Sequence, residues 1–484
     1  MSVLTPPEAG RQSRRWLGLA VIAAAQFMVI MDTSIIGVAL PEMQRDLGFT
    51  PENLSWVFNA YVVAFGGLLL LGGKVSDVLG ARTVFTAGWV VLAAGSLVAA
   101  VAGNVEIELA GRAIQGAGAA LVAPAALTLL MMLFGGNPRE LTKALALYGA
   151  AAPAGGTAGV FLGGVITEYL SWPWVFAINI PIALLILALV PSSMPAGARA
   201  GSHRVDVVGA VLVTAGLAAL VYAVVEAPEV GWDAARTWWV LAGGAALVAV
   251  FVAQQARGHD PLLRPGIFRA PGLAAANLAQ LLLGAAWIPM WFFLNLYLQQ
   301  VLGFTAFPSG AALLPMTLLI MVGMVVLAPR VLAALGVRAT TVTGLVLLAA
   351  GMAWLALVDP DGSYAVDVLP ASLVAALGMS FAFIPTLGTA ISAAPPEEGG
   401  LASGIVNTSY QIGSALGLAA MTAVAAAYGA DQIGNATART NGFSAGLWGA
   451  AAIAGAGALI AAFTLRSASS PTASSAEEVS VGAN

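Results

Sequence analysis

The sequence contains no cysteine, only two histidines and only 9% charged residues in a chain of 484. Without cysteine there is neither a disulfide nor a thiolate metal site. His203 and His259 both fall in connecting segments, so no histidine relay runs through an apolar span. No glycine-rich loop closes on Lys-Ser or Lys-Thr, which excludes a P-loop and with it ATP as the energy source. No acid pair clusters as acid–base chemistry requires, which argues against a membrane enzyme and leaves no catalytic residue, metal or cofactor to expect. No loop is long enough for a soluble sensing domain, which argues against a receptor.

What is present is apolar: 60% of the residues are hydrophobic and the mean hydropathy is +0.91. A water-facing surface could not be built from so few charges, so the fold class is an all-α polytopic membrane protein. A crossing takes about 20 residues at roughly 1.5 Å each. Stretches of that length fall near 16–40, 54–73, 83–103, 105–133, 143–167, 172–192, 206–226, 237–256, 272–300, 308–329, 337–358, 367–393, 400–428 and 443–466. The first follows Arg11, Arg14 and Arg15 and is longer than a signal-peptide core, so it reads as a retained helix. Fourteen crossings put both termini on one side. Arg11, Arg14, Arg15, Lys74, Arg82, Arg139, Lys143, Arg199, Arg204, Arg257, Arg264, Arg269, Arg330, Arg338 and Arg466 then share that side. Only Arg45, Arg236 and Arg439 fall opposite, so the positive-inside rule makes the termini cytoplasmic.

An internal repeat divides the chain. Lys74, Gly80, Arg82 and Gly88 recur as Arg330, Gly336, Arg338 and Gly344. The first set lies between the second and third spans, the second between the tenth and eleventh. A 6 + 2 + 6 plan follows, with parallel halves related about the membrane normal. The expected units are a cytoplasmic N-terminus (1–15), a six-helix bundle (16–192), a linker with two extra helices (193–271), a second six-helix bundle (272–466) and a Ser-rich disordered cytoplasmic tail (467–484).

Asp32 lies inside the first span, where an acid costs on the order of 3 kcal/mol to insert. Arg112 in the fourth span lies at a similar depth in the outer half, with Gln115 on nearly the same helical face. Two readings stay open: an ion pair that fixes the two helices, or a proton site whose charge balance changes as the helices move. Gly155, Gly159 and Gly163 recur every four residues, a smooth face suited to close packing or to rocking.

Several stretches together resemble the major facilitator superfamily, in particular its fourteen-helix drug:proton antiporter branch. MDTSIIGVALP (Met31–Pro41) resembles the branch's first-helix motif, with Asp32 and Thr33 in place. LAGRAIQGAGAA (Leu109–Ala120) resembles the fourth-helix motif, whose arginine the family links to proton coupling; here it is Arg112, supported by Gln115. GGKVSDVLGARTVF (Gly72–Phe85) resembles the cytoplasmic gate loop, with Gly73, Asp77, Gly80 and Arg82. WPWVFAINIP, YLQQVLGF and GLASGIVNTSYQIGSALG are similar to further branch segments. Two motifs depart from the pattern. The arginines usual after the loop's Asp and Gly are Val78 and Ala81, and the proline usual in the helix-5 motif (Gly155, Gly159, Gly163, Gly164) is Val160.

The resemblance implies a proton-coupled exporter of hydrophobic or amphipathic small molecules, of the multidrug or antibiotic efflux kind, in a bacterial plasma membrane. Its partners would be lipid, substrate and protons, with no nucleic acid and no ATP, and a monomer should suffice. The alternatives are a proton-coupled uptake symporter and, in another class, a receptor or membrane enzyme. Gln280, Trp287, Trp291 and Asn295 run along one face near Pro289, and Asp32's counterpart in the repeat is Ile288. These four, with Gln26, Trp56, Tyr61, Asn407 and Gln411, are the candidates for a substrate pocket. Asp32 is the acid deepest in a span, so neutral or singly charged substrates are expected. Vesicle export assays should show saturable transport of such dyes and little of dications; comparable transport of both would contradict this reading.

Overall fold

A computed structural model describes residues 6–51, 53–195, 206–258, 261–263, 265–393 and 399–465. Arg199, His203, Arg204, His259, Arg264, Arg466 and the tail 467–484 lie outside the described residues, so the expectations placed on them are not addressed. Among the described residues the secondary structure is helical. The long helices are α1 (Pro6–Leu47), α2 (Trp56–Leu79), α3 (Ala81–Ala100), α4 (Val105–Phe134), α5 (Pro138–Tyr169), α6 (Trp174–Ser193) and α7 (Val207–Val230). They continue as α8 (Ala235–Arg257), α9 (Leu273–Gln300), α10 (Ala306–Val322), α11 (Ala328–Leu355), α12 (Leu369–Ala393), α13 (Gly399–Ala427) and α14 (Ala436–Thr464).

Local chemistry sets several helix starts. Asn104 accepts from the Ile107 amide at 2.9 Å, and Asn435 accepts from the Ala438 amide at 3.0 Å. Asn137 caps α5, with Pro138 at the first helical position. The Asn435 cap makes α14 begin well before 443, because it draws the polar turn Ala436–Gly442 into the helix. Similarly α1 outruns 16–40 at both ends. Pro41 lies inside it, where its missing amide leaves the Gly37 carbonyl without its usual intrahelical donor, and Arg45 Nε makes a 3.3 Å contact to the Pro41 carbonyl.

Among the described residues, thirteen helical segments are apolar and long enough to cross a membrane. One of them, Ala306–Leu355, is 50 residues long. It joins α10 to α11 through a π turn (Gly323–Leu327), and its backbone leaves helical geometry at Gly336 (φ 75°, ψ 172°). At roughly 1.5 Å per residue such a segment is about two and a half times the hydrocarbon thickness, and the Gly336 break divides it into 306–335 and 337–355. Gly80, between α2 and α3, has the matching positive φ of 89°. Only glycine adopts that conformation cheaply, which explains the residue at both sites. The repeat's other glycines also match. Gly88 packs on α4 beside the Gly118 carbonyl, and Gly344 packs on α12 beside the Gly378 carbonyl.

Glycine contacts draw the helices together elsewhere. A Cβ at Gly413 of α13 would overlap the Leu281 carbonyl oxygen of α9, and one at Gly417 the Ala285 carbonyl oxygen. α7 and α8 pair with each other, and α7 reaches α2 where Thr214 sits against Gly67. Trp232, Trp238 and Trp239 are exposed around the α7–α8 turn, as expected of an interfacial aromatic belt.

α1–α6 and α9–α14 meet along α2 and α13, where Gln411 packs on Gly66 and Leu70 lies near Gly404, and the polar contacts between them lie at one end. Gln299 Nε2 donates to the Val38 carbonyl at 2.9 Å, and Gln300 Nε2 donates to Gln44 Oε1 at 3.0 Å. The Phe307 amide donates to Glu168 at 3.3 Å, with the Phe161 and Tyr169 rings about its ring. This is the end that holds the α1–α2, α5–α6 and α9–α10 turns, and it is sealed. A crevice of about 30 Å³, room for a water or two, remains there between Leu54, Phe292 and Phe443.

Gly413→Val should lose about 1–3 kcal/mol by overpacking α13 against α9. Gly455→Ala, with open space where the methyl would go, should be neutral or slightly stabilising. Thermal melts of the purified protein in detergent check both.

Candidate functional site

A polar cluster lies about one to three turns from the sealed ends of α2, α3, α4 and α6 and about four turns from that of α1. Arg112 and Asp32, apart by 80 positions in the chain, are in direct contact: Arg112 Nη1 donates to Asp32 Oδ2 at 2.8 Å. Arg112 is 0% exposed and Asp32 1%. Gln115, one turn on from Arg112, links the pair from both sides. Its Oε1 accepts from Arg112 Nη1 at 2.6 Å and its Nε2 donates to Asp32 Oδ1 at 3.0 Å. Arg112 Nε donates to the Val57 carbonyl at 2.9 Å, reaching the first turn of α2.

Three further members were not anticipated from sequence. Asn179 Nδ2 of α6 donates to Asp32 Oδ1 at 2.6 Å. Ser96 Oγ of α3 accepts from Gln115 Nε2 at 2.8 Å and from Asn179 Nδ2 at 3.2 Å. Glu108, one turn before Arg112 on α4, is 0% exposed. Asn179 is a polar residue inside WPWVFAINIP, and Glu108 shares a helical face with Arg112. Those spacings were the available signals. Ser96 had none, since a lone serine in an apolar helix most often bonds its own backbone.

Asp32 faces three donors, from Arg112, Gln115 and Asn179, a set suited to an ionised carboxylate, which only accepts. The guanidinium lies over the Tyr61 ring at 4.5 Å and the Phe176 ring at 5.8 Å, so aromatic faces replace water around it.

The other expected residues are distributed as follows. Thr33 Oγ1 donates to the Ile30 carbonyl of its own helix at 2.7 Å and takes no part in the cluster. Tyr61 belongs beneath Arg112 instead of in a pocket. Gln280 donates to Thr386 Oγ1 of α12 at 2.9 Å, and Trp56 lies against Tyr222 of α7. Trp287 and Trp291 pack together with ring centroids 6.4 Å apart. Trp291 and buried Asn295 press on α1 at Gly37. Gln26 accepts from the Tyr148 hydroxyl of α5 at 2.8 Å, while Gln411 packs on Gly66 and Asn407 is half-buried on α13. Of the nine pocket candidates, Trp287, Trp291 and Asn295 gather where α9 meets α1, and the others are set at further helix contacts.

Gly155, Gly159 and Gly163 of α5 all face α1, against Phe27, Met31 and Ile35, so the smooth stripe holds the backbone that carries Asp32. Gly164 faces α10 at Ala306 and Phe307. Val160 is fully buried, its carbonyl against Gly310 of α10. In the gate loop, Asp77 is exposed in the last turn of α2 and caps nothing; Gly80 holds the cap position of α3. Arg82 Nη1 contacts the Met194 carbonyl at 3.4 Å, tying α3 to the end of α6, and Gly73 lies near Pro124.

Comparison with known proteins adds independent findings. The profile of the Major Facilitator Superfamily matches residues 22–418. The chain is 40% identical over 430 residues to the cephamycin export protein CmcT of Amycolatopsis lactamdurans, covering 87% of this chain and 88% of that one. It is 39% identical to the puromycin resistance protein pur8 of Streptomyces alboniger, covering 87% and 85%. Among solved structures, a point mutant of the nucleoside transporter NupG superposes with a TM-score of 0.64 at 15% identity, covering 93% of this chain and 99% of that one. At that identity the likeness concerns the fold.

Arg112→Met should destabilise the protein by about 3–5 kcal/mol, because it leaves Asp32 buried beside no cation. Asp32→Leu combined with Arg112→Met should recover much of that loss. Thermal melts of the single and double variants measure the difference.

Proposed function

We propose, for a chain that belongs to the Major Facilitator Superfamily, that it is a proton-coupled exporter of hydrophobic or amphipathic small molecules of the antibiotic efflux type. The observation that carries this reading is the buried Asp32–Arg112 pair at 2.8 Å, the one ion pair among the described residues with both partners out of water. A buried ionisable pair inside a crossing helix is costly, and its position between α1 and α4 suits a charge that changes as helices move. The relatives named for cephamycin export and puromycin resistance support outward transport of an antibiotic over uptake.

The proton gradient supplies the energy, with no ATP, cofactor or metal, and the chain has no enzymatic role. Fourteen crossings arranged 6 + 2 + 6 place both termini in the cytoplasm of a bacterial cell, and a monomer is the working unit. The end sealed by Gln299, Gln300 and Glu168 then faces outward, and this conformation is closed to the outside. Opening that seal while the opposite end closes is the alternating access such a carrier requires. Asp32 is the proton site; protonation removes its charge and with it the main attraction to Arg112. The α5 stripe at Gly155, Gly159 and Gly163 gives α1 a surface without side-chain ridges on which to shift.

Everted membrane vesicles containing the protein should lose a preformed pH gradient when a substrate is added, tested with a panel that includes a cephamycin and puromycin. Asp32→Asn should abolish this response while the protein remains folded and abundant. Full active efflux by a well-expressed Asp32→Asn protein would remove Asp32 from the proton path. Proton movement of the opposite sense on substrate addition would mark a symporter.

A further inference from the structure

Among the described residues, the fully buried charged side chains are Asp32, Glu108 and Arg112: two acids and one cation. Asp32 takes the cation. Neither oxygen of Glu108 has a hydrogen-bond partner, and Arg112 Nη2, on the same helix one turn away, has none either. The charged groups that act on Glu108 are Arg112 from its own helix and Asp32 from α1, while Glu106 of the same turn is exposed. Two carboxylates against one guanidinium would leave a negative charge buried without a donor, and such a charge is relieved by binding a proton.

We propose that Glu108 is a second proton carrier, which holds a proton while Arg112 pairs with Asp32 and exchanges that partner with Asp32 during the cycle. In the exchange the O–H bond of Glu108 breaks and an O–H bond forms on Asp32, while Arg112 leaves Asp32 and pairs with the new Glu108 carboxylate. The guanidinium keeps its proton throughout. One carboxylate and one carboxylic acid face it before and after, so the triad is neutral in both states and no net charge is created in the membrane. Glu108 stands between the Asp32–Arg112 pair and the start of α4 at Val105. It therefore takes its proton from the sealed end and Asp32 releases one toward the other. This deepens the antiport reading above and rests on it for the direction of flow. The protonation state itself does not depend on transport.

The test is infrared spectroscopy of the full-length protein in lipid at neutral pH, in water and in deuterated water. The wild type should show a carboxylic-acid C=O band that shifts on deuteration, and Glu108→Gln should remove the intensity of one such group. Glu108→Leu supplies the same comparison if the amide variant does not fold. Asp32→Asn should also remove the band, because Arg112 then holds Glu108 ionised. A wild type without the band, or a band untouched by loss of Glu108, overturns the proton on Glu108. A band that survives Asp32→Asn overturns the exchange. A transport assay that fails while these spectra hold would count against the antiport reading alone.

Discussion

Everything near the sealed end depends on keeping one guanidinium out of water. Taking Arg112 out of water costs several kcal/mol unless its donors and its charge are met. The surrounding helices are arranged to meet them: α1 supplies the carboxylate, α2 a carbonyl and an aromatic face, and α4 the bridging Gln115. α3 and α6 complete the shell around the carboxylate through Ser96 and Asn179. Five helices are therefore held in register by polar contacts where hydrophobic attraction gives no register, because lipid is as apolar as the helices themselves.

Close backbone approach makes that shell possible. Gly95 and Gly111 set α3 against α4, Gly116 sets α4 against α2, and the α5 stripe sets α5 against α1. The second half uses the same device, with Gly344, Gly378, Gly413 and Gly417 at its crossings, but fills its centre with Trp287, Trp291, Phe292 and Phe293. The halves share a packing scheme and differ in chemistry: among the described residues, the fully buried charged side chains lie in the first.

How much was readable beforehand differs by feature. The crossings were visible because apolar length is a local property, while the 50-residue continuous helix, broken at Gly336, runs through two of the expected stretches. Helix ends were less readable: Asn435 and Pro41 changed α14 and α1 through caps and tolerated breaks that composition does not reveal. The Asp32–Arg112 pairing was legible as an expectation, since two charges at equal depth in apolar helices have few places to go. The pocket was not. Its aromatic and amide residues were grouped by helical face, and which helix each meets is decided by the packing of the bundle.

The sequence by itself determined that the chain is a polytopic helical membrane protein, because composition and span length follow from the bilayer as solvent; the transport role was implied only by the resemblance of its motifs to a family. It also marked Asp32 and Arg112, since a charge in an apolar span stands out against its own segment. Only the tertiary structure decided what meets those charges. Asn179, Ser96, the Val57 carbonyl and the Tyr61 ring come from separate helices, brought together by crossings that no local pattern encodes. The same is true of Glu108, which in sequence is one more acid near a helix start. Burial without a partner separates it from Glu106 two residues earlier, and burial is a property of the assembled bundle.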